Sequence, residues 1–463
     1  MPTPRTTDIA VIGAGTAGLT AFHTIRNVGA EALLIDHGPL GTTCARVGCM
    51  PSKAVLHAGQ QWSAMARLPG ADASALVAAR DALWQDARRT RDQLAQGASD
   101  RTVKAAGERL LMGRARFLNP HTLDVDGQQV QARAFVLATG SRPVVPAALQ
   151  SLGDRLLTTD TLFDLSTLPP RIGVLGMGAI GLEMGLALAR LGLGVTGGDM
   201  RDALAGIADP VVAARARELF SPAMDLWLGR PMEAKRSDYG VRLCSGEHTA
   251  DVDLLLAALG RQPNVQALDL ARAGVLLDDK GQPQIDTGTL RAAGDAAVFL
   301  AGDVSPERPL MHEAADEGAI AARSAMASLT GTPPQPAVRS APLAIVFSDP
   351  DVASVGAPLS ACDVKTTVIG SAEGSGNGRS KILHAPGNLV RVYVDRPSRR
   401  LLGASLIATH GEHLAHHLAW AVQREDTIDA LLSMPYYHPS IEEMLQSAFK
   451  DAAQQLQADS ASR

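Results

Sequence analysis

Close to the N-terminus the apolar run Ile9-Ala10-Val11-Ile12, led by Asp8, predicts a buried strand. It passes through Gly13-Ala14-Gly15-Thr16-Ala17-Gly18 into a helical stretch, and a second apolar run, Leu33-Leu34-Ile35, ends on Asp36. The pattern returns further along. Ile172-Gly173-Val174-Leu175 precedes Gly176-Met177-Gly178-Ala179-Ile180-Gly181 and another helix, and Val195-Thr196-Gly197-Gly198 ends on Asp199. Each acid lies 23 positions beyond the first glycine of its motif, Gly13 to Asp36 and Gly176 to Asp199.

This spacing has a physical reason. The first glycine makes a tight turn, the second lets a pyrophosphate approach the backbone, and the third lets helix and strand pack closely. Phosphate then sits on free N–H groups at the positive end of the helix, and the acid accepts hydrogen bonds from ribose hydroxyls. A lone glycine motif is as easily a glycine-rich turn. Strand, glycines, helix and acid in order, twice over, predict two dinucleotide sites. Asp199 favours a free 2′-hydroxyl and hence NAD, although Arg201 nearby is the kind of residue an NADP site offers. An ordinary loop acid is the alternative for Asp199.

At 463 residues the chain is too long for one core, so two or three domains are expected. Scarce aromatics (3%) and 44 glycines suit closely packed α/β layers better than a β-sandwich. A net charge of −5 with no basic block gives no electrostatic footprint for nucleic acid. No apolar run approaches the ~18 residues of a membrane span. The chain enters its first strand almost at once, without the features of a secretory signal, so a cytoplasmic location is expected.

Four cysteines in such a chain are not a disulfide framework. Cys244 and Cys362 stand alone and are expected to be packing or surface residues. Cys44 and Cys49 are close together in Gly41-Thr42-Thr43-Cys44-Ala45-Arg46-Val47-Gly48-Cys49-Met50-Pro51-Ser52-Lys53. Pro51 suits the first turn of a helix, which places Cys49 near a helix N-terminus that favours a thiolate. A metal site would need further ligands at zinc-type spacing, and the segment has none. Two inert thiols remain the alternative.

This segment closely resembles the redox-active segment of the pyridine nucleotide–disulfide oxidoreductases, the family of dihydrolipoamide dehydrogenase, glutathione reductase and mercuric reductase. The likeness continues along nearly the whole chain. Ala138-Thr139-Gly140-Ser141-Arg142-Pro143 looks like the crossover out of an FAD domain, and Gly260-Arg261-Gln262-Pro263-Asn264 like the return from an NAD domain. Ala301-Gly302-Asp303 resembles the second FAD motif, with Asp303 on the ribityl side, and Leu310-Met311-His312-Glu313 would begin a helix aimed at the isoalloxazine. Tyr437-His438-Pro439-Ser440-Ile441-Glu442-Glu443 resembles the family's His-Pro-Thr-x-x-Glu signature.

The resemblance implies that Cys44 is the interchange thiol that attacks substrate and Cys49 the charge-transfer thiol beside the flavin. Lys53 would lie near flavin N5 and pair with Glu183; alone it reads as a solvated helix lysine. Further cofactor contacts implied are Thr43, Gly113, Thr139, Gly140, Ser141, Asp303, Met311 and Gly260, beside the two glycine–acid motifs. Thiol exchange needs an acid–base group, and histidine titrates near neutrality. His438 stands out among 12 histidines because Pro439 fixes its backbone and Glu443 follows at reach. Ser440-x-x-Glu443 also reads as a capping box, and Glu442 is the alternative partner. In the family this histidine comes from the opposite subunit, which implies a homodimer.

The implied fold is α/β: a discontinuous FAD domain (1–145 and 268–338), an NAD domain (146–267), and a C-terminal α+β dimerisation domain (339–463). The first two are Rossmann-like, and Ala452 to Arg463 is expected to be a frayed tail. Ile180 and Asp199 resemble the dihydrolipoamide dehydrogenase version. Thr42 in place of a second glycine, Arg46 in place of asparagine, and Tyr436-Tyr437 before the histidine depart from the pattern. The leading expectation is therefore an enzyme like dihydrolipoamide dehydrogenase, acting on a small disulfide or dithiol such as a lipoyl group on a carrier protein. A reductase of another disulfide or a quinone, and a low-turnover flavoprotein serving as a binding partner, are the alternatives.

Overall fold

Two parallel sheets of the same design carry the two glycine motifs. The computed structural model describes residues 3–305 and 310–461. In the first sheet Arg5–Ile12 is flanked by Ala32–Asp36 and Gln128–Leu137, all parallel, with Leu110–Met112 beyond Ala32–Asp36. The strand Val298–Leu300 adds to Gln128–Leu137 as a further parallel neighbour, pairing Val298 with Phe135. An antiparallel extension, Ala115–Asn119 and Thr122–Val125, continues the sheet on that side. The inner stretches 9–12, 33–35 and 135–137 of the parallel strands are continuously apolar and buried because both faces of the sheet are covered there. Helix Thr16–Asn27 buries Ala17, Ala21, Phe22 and Ile25. Helix Met311–Leu329 packs so tightly on it that a Cβ on Gly318 would lie 2.2 Å from the Ala17 carbonyl oxygen.

The second sheet runs Asp225–Leu228, Gly194–Asp199, Arg171–Leu175, Leu254–Ala257 and Leu156–Leu157, again parallel. A three-stranded antiparallel sheet, Glu233–Ser237, Gly240–Ser245 and His248–Val252, lies against it and carries the half-buried Cys244. The two sheets are linked by a pair of crossing segments. Ser141–Pro143 and Arg261–Pro263 pair antiparallel, Ser141 opposite Pro263.

The C-terminal sheet is antiparallel, ordered Leu343–Val346, Asp351–Gly356, Leu401–Ala408, Leu389–Asp395, Thr367–Glu373. Helices Gly411–Gln423 and Glu443–Ala461 cover one face of it. The expected frayed tail is corrected here: residues 452–461 are helical, with Ala452, Ala453 and Leu456 buried, while 462 and 463 lie outside the described residues. The reason is periodicity. Leu445, Ala448, Phe449, Ala452, Ala453 and Leu456 repeat at helical spacing on the face toward the sheet. No described helix is long and apolar enough to cross a membrane.

Candidate active site

Each glycine motif forms the same cradle. Gly13 (φ +107°) and Gly176 (φ +95°) make turns in which a Cβ would meet the carbonyl oxygens of Ala138 and Ala258 at 2.1 and 2.5 Å. On Gly18 and Gly181 it would fall 1.8 Å from the Gly13 and Gly176 carbonyls. On the middle glycines, Gly15 and Gly178, it would meet nothing within 4 Å. Tight, open, tight is the profile required when a pyrophosphate comes down on the middle position, so both cradles fit dinucleotides. The acids close the duplicate: Asp36 accepts from the Ala14 N–H at 2.6 Å and Asp199 from the Met177 N–H at 2.9 Å. Gly113 donates its N–H to the Asp36 carbonyl at 2.8 Å, bringing the third strand edge beside that acid. Asp199 also accepts from the Arg201 N–H at 2.9 Å, and the Arg201 Nε stands 3.4 Å away. Burial opposes its charge, but the Arg201 and Met177 donors hold the carboxyl below the usual range.

The thiols sit where two short elements meet. Thr43–Arg46 forms one helical turn holding Cys44, and Cys49 is the first residue of helix Cys49–Ala66. Thr42 occupies a left-handed position (φ 58°) that favours glycine, and its hydroxyl caps the turn by accepting from the Ala45 N–H at 3.1 Å. Thr43, between it and Cys44, is the first residue of that turn. Gly48 bridges the two helices, with Thr43 and Cys44 backbone atoms 3.1 and 3.2 Å from where its Cβ would be. The thiols share a hydrogen bond that splits their acidities. Cys44, the donor, is pushed up. Cys49 is lowered to about 6, by that bond first and by the Lys53 charge as well, against the cost of burial.

Lys53 lies one turn along the same helix from Cys49. Its ammonium is 2.8 and 3.1 Å from the two Glu183 carboxylate oxygens. Glu183 is buried on helix Ala179–Arg190 of the second nucleotide layer. The two helices can approach because Gly59 has no side chain: a Cβ there would be 2.9 Å from the Ala187 carbonyl. Phe347, from the C-terminal part of the chain, places its ring 4.2 Å from the Lys53 Nζ.

At the crossing segments Ser141 donates its hydroxyl to Asp303 at 2.9 Å, and Arg261 donates to the Ser141 hydroxyl at 2.8 Å and carbonyl at 2.7 Å. Thr139 and Asn264 exchange hydrogen bonds at 2.8 and 3.0 Å, the Asn264 N–H donates to the Gly140 carbonyl at 3.0 Å, and the Gly260 carbonyl accepts from the Val144 N–H at 3.0 Å. The turn before Asp303 is fixed from below. Glu317, fully buried, accepts from the Gly302 N–H at 2.8 Å and from Arg339 at 2.7 Å. Met311 opens helix Met311–Leu329 and is exposed.

His438 projects 77% exposed from the C-terminal domain. Its Nδ1 is 3.0 Å from Glu443 Oε1, while Glu443 Oε2 accepts from the Ser440 N–H at 3.0 Å. Glu443 thus fills both of the roles its position offers, cap and histidine partner. The Ser440 bond, then the imidazole, hold its carboxyl below the ordinary range. Within one chain His438 makes no hydrogen bond to either thiol among the described residues; its bonded partner is Glu443. Of the two tyrosines, Tyr436 turns inward and bonds the Leu431 carbonyl at 3.1 Å, whereas Tyr437 stands 84% exposed.

Sequence reasoning missed Phe347 and the Arg261 clamp on Ser141. Arg261 lay in a recognised motif, but its partner is more than a hundred residues away; Phe347 sits in an apolar run with no local mark.

The family described as pyridine nucleotide-disulphide oxidoreductase matches residues 7–318, and its dimerisation domain matches residues 343–449. A dihydrolipoyl dehydrogenase of Halobacterium salinarum is 30% identical over 96% of each chain. Dihydrolipoyl dehydrogenase 2 of Haloarcula marismortui is 29% identical, also over 96% of each. In fold, the chain superposes with a TM-score of 0.82 on the HOCl-induced flavoprotein disulfide reductase RclA from Escherichia coli, 22% identical, covering 96% of this chain and 99% of that one.

Proposed function

Because the chain belongs to the pyridine nucleotide-disulphide oxidoreductases, FAD-containing and NAD(P)-dependent disulfide reductases, we propose that its Cys44–Cys49 pair exchanges electrons between NAD(H) and a lipoyl-type dithiol. The observation that carries this reading is the placement of the two thiols, Cys44 in the turn Thr43–Arg46 and Cys49 at the first residue of the adjoining helix one turn from the Lys53–Glu183 pair, an arrangement that makes their acidities unequal. Cys49, already thiolate near neutral pH, is the sulfur suited to face an electron acceptor. Cys44, whose proton is retained, is the sulfur that must be activated to attack a substrate disulfide. That activation requires a base, and His438, oriented through Nδ1 by Glu443, leaves Nε2 to accept the Cys44 proton and return it to the departing substrate sulfur. Since His438 points outward from its own chain, a second subunit brings it to the thiols. When bound, FAD and the nicotinamide supply the hydride chemistry; Lys53, Glu183, Asp303 and the two cradles hold and orient them. Asp199 favours NAD over NADP, its carboxylate being directed by Met177 and Arg201.

The test is anaerobic titration of the purified holoenzyme with NADH, followed by dihydrolipoamide/lipoamide and oxidised glutathione. A long-wavelength thiolate–flavin band on two-electron reduction, discharged by lipoamide and not by glutathione, is the expected result. Absence of the band removes the dithiol mechanism; discharge by glutathione alone removes the lipoyl assignment. A different disulfide is the second reading, favoured by Arg46, in the same helical turn as Cys44, and by the exposed Tyr437 next to His438 in the chain.

A further inference from the structure

The geometry points to a divalent transition-metal site on the C-terminal domain, formed by His410, Glu412 and His413 and separate from the dithiol. The ligand atoms of these three side chains lie within 4.8 Å of one another, and His413 Nε2 is 3.6 Å from Glu412 Oε1. Bonds of about 2.0–2.2 Å to nitrogen and oxygen put tetrahedral ligand atoms roughly 3.3–3.6 Å apart. One pair is thus already at ligand spacing, and small side-chain rotations bring in the third.

The backbone explains the convergence. His410 is the residue before helix Gly411–Gln423 and adopts a left-handed conformation (φ 56°, ψ 33°), one that histidine takes more readily than most side chains; the His410 and His413 rings are 6.2 Å apart. Glycine at 411 is needed because a Cβ there would be 3.0 Å from the Asp351 Cβ, so the helix start is pressed onto the sheet. The Glu412 N–H donates to Asp351 Oδ2 at 3.3 Å, and the Glu412 carbonyl is bonded by His416 Nδ1 at 2.6 Å. Glu412 also shares a hydrogen bond with the Asp351 carboxyl, which fixes its side chain at the helix start. The two exposed imidazoles flank the Glu412 carboxylate, so the three side chains offer two nitrogen donors and an oxygen donor to one cation. Two imidazoles and one carboxylate select a borderline ion such as Zn²⁺ over Ca²⁺ or Mg²⁺, which take oxygen shells. Three protein ligands leave a fourth position for water or an incoming group.

The experiment uses FAD-loaded enzyme with Cys44 and Cys49 oxidised to the disulfide, so that thiolates cannot compete, titrated with Zn²⁺ against a chromophoric chelator. One Zn²⁺ per chain is expected. His410→Ala, His413→Ala and Glu412→Gln should each weaken binding by at least about tenfold. No stoichiometric uptake by the wild type, or uptake that survives both histidine substitutions, would overturn the site. Uptake that appears only after the Cys44–Cys49 disulfide is reduced would place the ion at the dithiol instead and equally reject the proposal.

Discussion

At Cys49 the hydrogen bond from Cys44 and the Lys53 ammonium lower the thiol, while burial and the Glu183 carboxylate oppose them. A thiol lowered to about 6 is thiolate above that pH and is protonated as pH falls through it. The thiolate–flavin band of reduced enzyme should therefore fade in acid with a midpoint near 6. Cys44→Ala removes the leading cause and should move the midpoint upward by more than about one pH unit; Lys53→Met should move it the same way. Midpoints unchanged in both variants would refute this account of the acidity. Turnover is a separate matter. Cys44→Ser should abolish disulfide reduction while the band persists, because Cys49 and its cation remain. A serine variant with full turnover would reverse the roles of the sulfurs.

The elements divide according to how local their causes are. The glycine cradles were legible because each function of each glycine is met within one strand–turn–helix, and the coordinates show the same tight–open–tight profile twice. That profile predicts a contrast. Gly181→Ala would drive a methyl into the Gly176 carbonyl and should cost about 3 kcal/mol or more, seen as a lower Tm. Gly178→Ala should leave Tm nearly unchanged and raise KM for NADH, since the space it fills is the coenzyme's. Equal effects on Tm would remove the middle glycine from coenzyme binding. The Ser440–Glu443 pairing was also readable, but as a choice between two roles, and of the capping box only the Glu443 half forms, the Ser440 hydroxyl making no hydrogen bond among the described residues. Sequence could not reveal that one carboxylate has an oxygen for each. Glutamine at 443 has a single acceptor for those two donors, so Glu443→Gln should lower kcat about tenfold or more with only modest loss of stability. What stayed hidden depended on distant partners: Phe347 over Lys53, Arg261 on Ser141, and the amphipathic face that keeps residues 452–461 helical.

On the scale of the whole molecule, the exposed histidine makes no hydrogen bond to the thiols of its own chain among the described residues, and the chain carries a dimerisation domain. Mixing Cys44→Ser with His438→Ala tests the arrangement. Each parent should be nearly inactive, the histidine variant by about 100-fold. Random reassembly should recover roughly a quarter of wild-type turnover, because half the dimers are mixed and each of those has one intact site. No recovery after verified subunit exchange would mean that the histidine serves its own chain. The Lys53–Glu183 pair joins helices from separate nucleotide layers, so the sulfur chemistry of one layer is tuned by a carboxylate anchored in the other: Glu183 offsets part of the cationic pull that Lys53 exerts on Cys49.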